Sequence, residues 1–198
     1  MFEELLWQFK TLLNGYVALD TETTGLFHGD VAPDVISIGL TEVCSCKVIS
    51  SVQYLSRPTK KFTDNAFSVH GISWESTQAY PHLSDSWDDI CGAISGKLVI
   101  AHNALYDWRV LSSAASKWEL ELPFVQGVFC TQRASQAWAM ANNIKCSERG
   151  PSLDSLADYL GVENLRAENN DLHSASIDSE LVALVAEKLR TMALARNS

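Results

Sequence analysis

The period of the apolar positions changes along the chain, and each change marks an element. "MFEELLWQFKTLL" places Phe2, Leu5, Leu6, Phe9, Leu12 and Leu13 at helical spacing, which predicts an amphipathic helix packed on the rest of the domain. From Gly15 the pattern becomes continuous: "GYVALD" reads as a buried strand. "DVISIGLTEV" and "KVISSVQYLS" are two β-rich runs joined around Cys44–Cys46, as in an antiparallel hairpin. "RPTKKFTDNAFSVHGIS" reads as a loop-rich connection. "SDSWDDICGAIS" is helical, with Ser84 or Asp85 as its cap. Strands and helices then alternate: "KLVIAH", the helix "NALYDWRVLSSAASK", the strand "PFVQGVFCT" and the helix "QRASQAWAMANN". A capped helix over "SLDSLADYLG" stops at Gly161, the polar "VENLRAENNDL" is a loop, and "SASIDSELVALVAEKLRTMALA" is a long amphipathic helix.

This alternation predicts an α/β fold, with a mixed sheet if the first strand pairs with the hairpin. No repeat, low-complexity tract or linker divides the chain, so one domain over 1–198 is expected. A length of 198 residues is ample for one such core, and 46% hydrophobic with 20% charged residues is ordinary globular composition. No apolar run approaches the ~18 residues of a membrane helix, and Glu3 and Glu4 are unlike the basic start of a secretory signal. The five cysteines (44, 46, 91, 130 and 146) include no C-x-x-C pair and read as reduced thiols, so a cytoplasmic location and no membrane association are expected. The net charge of −9 argues against binding duplex nucleic acid through a broad basic surface. It leaves room for a nucleic-acid enzyme whose cations are metal ions.

Candidate chemistry begins at "VALDTETTGL". Strand alternation puts Asp20 and Glu22 on one face at the end of a buried strand, where two neighbouring carboxylates repel and are costly to desolvate. Hard oxygen donors in that arrangement suit Mg²⁺ or Mn²⁺. Gly25 then permits a tight turn that exposes backbone amides. In "IAHNALYD", Asn103 is a reasonable cap for a helix that carries Asp107 near its start. In "HSASID", His173 and Asp178 would lie about 140° apart if both were helical. A loop position for His173 and a place for Asp178 in the first or second helical turn therefore fit better. Taken singly, each of these also reads as a surface acid or an ordinary histidine.

Together, "DTETTGL", "HNALYD" and "HSASID" resemble the three exonuclease motifs of the DnaQ-like proofreading 3′–5′ exonucleases, the DEDDh branch of the DEDD nucleases. "VHGIS" (69–73) and "LVIAHNALYDWRVL" extend the likeness, which runs from about Gly15 to Leu189. The resemblance implies a ribonuclease-H-like fold: a mixed β-sheet flanked by helices. It implies that Asp20, Glu22, Asp107 and Asp178 gather two Mg²⁺ ions, with Mn²⁺ as the alternative. Asp20 would bridge the pair, Glu22 and Asp178 would complete one site, and Asp107 would act on the second metal through water. His173 would be the general base, for which an imidazole pKa near 6.5 is suited. Thr23 and Leu26 would lie against the 3′-terminal nucleotide, with His70 nearby. Two departures are mild: Tyr106 stands where many members have phenylalanine, and Cys130 precedes Thr131 where an aspartate is frequent.

The implied activity is hydrolysis of phosphodiester bonds at single-stranded 3′ ends, releasing nucleoside 5′-monophosphates, with DNA favoured by analogy. The alternative is a 3′–5′ exoribonuclease of the ribonuclease T or oligoribonuclease type. A polymerase or repair complex is the expected kind of partner, and the sequence does not specify an oligomeric state. "RPTKK" (Arg57, Lys60, Lys61) is the densest basic cluster, read either as a solvated loop or as a phosphate contact. Of the six tryptophans, Trp108 stands beside Asp107 and is the candidate for base stacking. A haloacid-dehalogenase-type phosphatase would use Asp20 as nucleophile, with a later acid at Asp88–Asp89. Glu22 is the wrong second acid for it, and His173 would have no role. A binding module that had lost the chemistry would not need all five catalytic letters.

Overall fold

The computed structural model describes residues 15–144, 146–163, 165–166 and 172–195. The helix expected over 2–13 and most of the polar segment 163–172 lie outside the described residues.

Five strands form a sheet of order β3-β2-β1-β4-β5: β1 (Tyr16–Thr23), β2 (Val35–Cys44), β3 (Lys47–Leu55), β4 (Leu98–Ala101) and β5 (Gly127–Cys130). β2 runs antiparallel to β1 and β3, while β4 runs parallel to β1 and β5. The local cause is chain connection. Ser45 and Cys46 both take positive φ (49° and 66°), as a tight hairpin turn requires, whereas β4 reaches β5 through a helical crossover.

The helices are α1 (Asp64–His70), α2 (Trp74–Thr77), α3 (Trp87–Ile94), α4 (Ala104–Lys117), α5 (Thr131–Ala141), α6 (Leu153–Leu160) and α7 (Ala175–Ala195). Alternation along β1 divides two cores. Tyr16 and Ala18 pack with α5, α6 and α7, while Val17 and Leu19 pack with α3 and α4. Asp20 and Glu22 continue the first set, at the strand's C-terminal end, so they emerge on the face that carries α7.

Three local readings need correction. The connection after β3 contains α1, capped by Thr63 Oγ1, which accepts from the Ala66 amide at 3.2 Å, and ended by Gly71 at φ 68°. Phe67 and Val69 are exposed on it, so no apolar stripe marks the helix. Ser84 and Asp85 do not cap α3; they lie in a 3-10 turn (Leu83–Ser86) capped by His82. Asn103 occupies the cap position of α4 in the left-handed region (φ 69°, ψ 43°) without a side-chain cap bond. Asp34 ties the loop after β3 to α4, accepting from the Thr59 amide at 2.7 Å and from Lys117 Nζ at 2.6 Å.

All five cysteines are free. Trp108, in α4, is partly buried and packs against the core on that side of the sheet. Among the described residues, no helix is long and apolar enough to cross a membrane.

Candidate active site

The site lies where β1 ends, and its assembly starts with a glycine. Gly39 of β2 pairs with Asp20 of β1. A Cβ at Gly39 would stand 1.8 Å from the Ala175 carbonyl oxygen, so α7 can enter flush on the sheet only over bare backbone. Thr41 Oγ1 and Ser179 Oγ, 2.9 Å apart, pin the helix there. This seats Asp178, in the first turn of α7 and 1% exposed, against the end of β1.

His173 precedes the helix, and its Nδ1 lies 3.1 Å from Asp178 Oδ2. Its amide donates to the Val69 carbonyl at 3.0 Å, which joins the approach to α7 with the end of α1. Asp178 Oδ1 accepts from Arg166 Nε at 2.6 Å. Glu22, His173 and Asp178 each present a ligand atom within 4.8 Å of the other two. Asp107 comes from the opposite side, through the first turn of α4, and accepts from Thr21 Oγ1 at 2.7 Å. Asp20 stands between these groups electrostatically, feeling Asp107, Asp178 and Glu22.

The electrostatics follow from burial and crowding. Burial first, then its acidic neighbours, holds the Asp20 carboxyl well above the usual range, against a smaller pull from Arg166. Burial and the Asp178 charge push Glu22 up to about 7. Burial pushes Asp107 up to about 7 in spite of the Thr21 bond. The hydrogen bond to Asp178 raises His173 above its ordinary value.

Beside Glu22 opens a pocket of about 470 Å³. Thr23, Leu26 and His70 line it, together with Val69, Asn103 and Tyr106. Leu26 is 70% exposed at its rim. His70 is buried; its Nδ1 accepts from the Ile72 amide at 3.0 Å, and burial holds it below the usual imidazole range. The Tyr106 hydroxyl donates to the Gly25 carbonyl at 2.8 Å and sits 2.7 Å from Thr23 Oγ1, fixing the turn after β1.

The donor set fits a divalent cation. Glu22 Oε1 is buried with no hydrogen-bond partner, and an unpaired carboxylate oxygen of that kind is costly unless a cation takes it. Carboxylate oxygens are ligands that suit Mg²⁺ or Mn²⁺, whereas an imidazole ligand suits Zn²⁺.

Sequence reasoning missed three contributors. Thr21 orients Asp107, Tyr106 buttresses the turn, and Arg166 bonds Asp178. Arg166 sits in a polar run without periodicity, so no local signal singled it out.

A mixed five-stranded sheet with acids gathered at the end of its central strand is the ribonuclease-H-like arrangement, and solved structures of that fold superpose on the chain. Exonuclease X in complex with 5′ overhanging duplex DNA covers 89% of this chain and 92% of its own at TM-score 0.64 and 23% identity. The nuclease domain of 3′hExo, a DEDDh family member, bound to rAMP, covers 91% and 93% at TM-score 0.70 and 13% identity. The zinc-bound form of Escherichia coli exonuclease I with single-stranded DNA covers 90% and 41% at TM-score 0.72 and 16% identity.

The chain belongs to the exonuclease family of ribonuclease T type, whose family model matches residues 17–186. The DNA polymerase III epsilon subunit of Escherichia coli (strain K12) is 26% identical over 183 residues, covering 89% of this chain and 71% of the relative. The epsilon subunit of Salmonella typhimurium matches to the same extent.

Proposed function

We propose that this chain is a divalent-metal-dependent 3′–5′ exonuclease of single-stranded nucleic acid, with DNA its preferred substrate, and that residues 1–198 form one such domain. The observation that carries the reading is the convergence of Glu22, His173 and Asp178 on one point beside a pocket of nucleotide size.

In this reading Asp20, Glu22, Asp107 and Asp178 hold two Mg²⁺ or Mn²⁺ ions. Such ions lower the pKa of bound water and neutralise charge on a departing oxygen. The protein supplies the rest. Thr23, Leu26 and His70 seat the terminal nucleotide, so that the scissile phosphate lies over the carboxylates. His173 takes a proton from the water that attacks the phosphate, at Nε2 because Nδ1 faces Asp178. Asp178 steadies the imidazolium that results. The acidic chain needs no broad basic face for this work, since it grips only a strand's end. A polymerase is the expected kind of partner, supported by relatives named as DNA polymerase III epsilon subunits, with a repair complex as the alternative.

The test is a gel assay with 5′-labelled single-stranded DNA and RNA, side by side, with Mg²⁺ and with EDTA. A ladder shortening from the 3′ end with Mg²⁺, absent with EDTA, is expected, with DNA cleaved faster. Faster cleavage of RNA would place the chain with the exoribonucleases. No cleavage of either would remove the proposal.

A further inference from the structure

The acid cluster is braced by a cation belonging to the protein itself. Arg166 is 4% exposed, although it lies in a polar stretch. Its Nε donates to Asp178 Oδ1 at 2.6 Å, and its Nη1 bonds Asp154 Oδ1. Asp154 is in the first turn of α6, its side chain 46% exposed, and Asp178 is in the first turn of α7, its side chain 1% exposed. One planar guanidinium thus spans two helices and joins a surface carboxylate to the most deeply buried acid of the site. A buried ion pair of this kind is poor evidence for stability, because desolvation offsets much of the attraction. Its geometry is more informative.

Asp178 has two carboxylate oxygens and uses them differently. Oδ1 is taken by Arg166, whereas Oδ2 faces His173 at 3.1 Å, and His173 and Asp178 group with Glu22. Gripping one oxygen fixes the rotation of the carboxylate and so aims the other. We propose that Arg166, anchored by Asp154, is a positioning residue that orients Asp178 Oδ2 toward the divalent-metal centre and thereby sets metal affinity. The inference rests on the reading of that centre as a metal site. The fork matters more than the charge: guanidinium nitrogens diverge in one plane to reach two carboxylates, and an ammonium cannot reproduce that span. Outer partners of this sort typically govern metal affinity by 10–100-fold.

The experiment is Mn²⁺ binding to the full chain, followed by the electron paramagnetic resonance signal of free Mn²⁺, with thermal unfolding measured in EDTA. For Arg166→Met, Mn²⁺ affinity is expected to fall roughly 10–100-fold. Arg166→Lys should stay within about threefold of Arg166→Met, because it keeps the charge and loses the fork. Asp154→Asn, at a half-exposed position away from the cluster, should weaken Mn²⁺ binding severalfold, and that effect should vanish in the Arg166→Met background. Full affinity in Arg166→Lys, tighter binding in Arg166→Met, or unchanged binding in Asp154→Asn would each overturn the proposal. So would lower unfolding temperatures with unchanged affinity, the mark of a purely structural pair. Failure of the parent chain itself to bind Mn²⁺ would instead overturn the metal-centre reading.

Discussion

His173 lies with Nδ1 against a buried carboxylate, which leaves Nε2 as the basic nitrogen of its neutral ring. His173→Ala is expected to lower single-turnover cleavage by roughly two to four orders, the usual scale for a general base. A loss of only a few-fold would demote it to a neighbour of the chemistry. At Tyr106 the expectation is milder. The phenol's bonds to Gly25 and Thr23 hold the turn that lines the pocket, but Thr23 Oγ1 also donates to the Gly25 carbonyl at 2.7 Å. Tyr106→Phe should therefore cost about 1 kcal/mol in unfolding free energy or less. It should raise KM for a short oligonucleotide more than it lowers kcat. A selective fall in kcat would show that the hydroxyl contributes to the chemical step.

The elements position these side chains through backbone contact more than through side-chain packing. Gly39→Ala would drive a methyl group into the Ala175 carbonyl, where neither backbone can retreat cheaply. Overpacking of this sort typically costs about 1–3 kcal/mol. The displaced α7 should carry Asp178 and His173 off the acids of β1, so cleavage should fall further than unfolding measurements alone suggest. A Gly39→Ala variant with normal turnover would mean that α7 does not need that close seat. This contact also shows where sequence reading stops. β1, the hairpin, α4 and α7 are legible because their apolar periods are long and regular. α1 is not, since a seven-residue helix with Phe67 and Val69 exposed carries no buried stripe. The catalytic letters could be grouped by resemblance, but Gly39 and Arg166 owe their places to contacts 136 and 12 positions away in the chain, which no local pattern encodes.

For the molecule as a whole, the crowded acids link stability to pH and to metal. Glu22 is raised from 4.5 to about 7 and Asp107 from 3.8 to about 7, so each contributes stability while protonated, below its unfolded value. That contribution is lost as pH rises through about 7. His173, also raised, has the same sign. In EDTA, this part of the stability should therefore decline between about pH 5 and 8. The increase in melting temperature produced by Mg²⁺ should grow over the same interval, because ionised carboxylates are the ligands. A Mg²⁺-induced shift that is flat with pH, measured by thermal unfolding in one buffer series, would contradict this account.

The amide of His173 hangs from the carbonyl of Val69, a residue whose side of α1 walls the pocket. Whatever leans on that wall leans on the backbone that carries the imidazole. An occupant pressing on that wall would shift the imidazole with it, so filling of the recess and the placement of His173 are coupled through one backbone hydrogen bond.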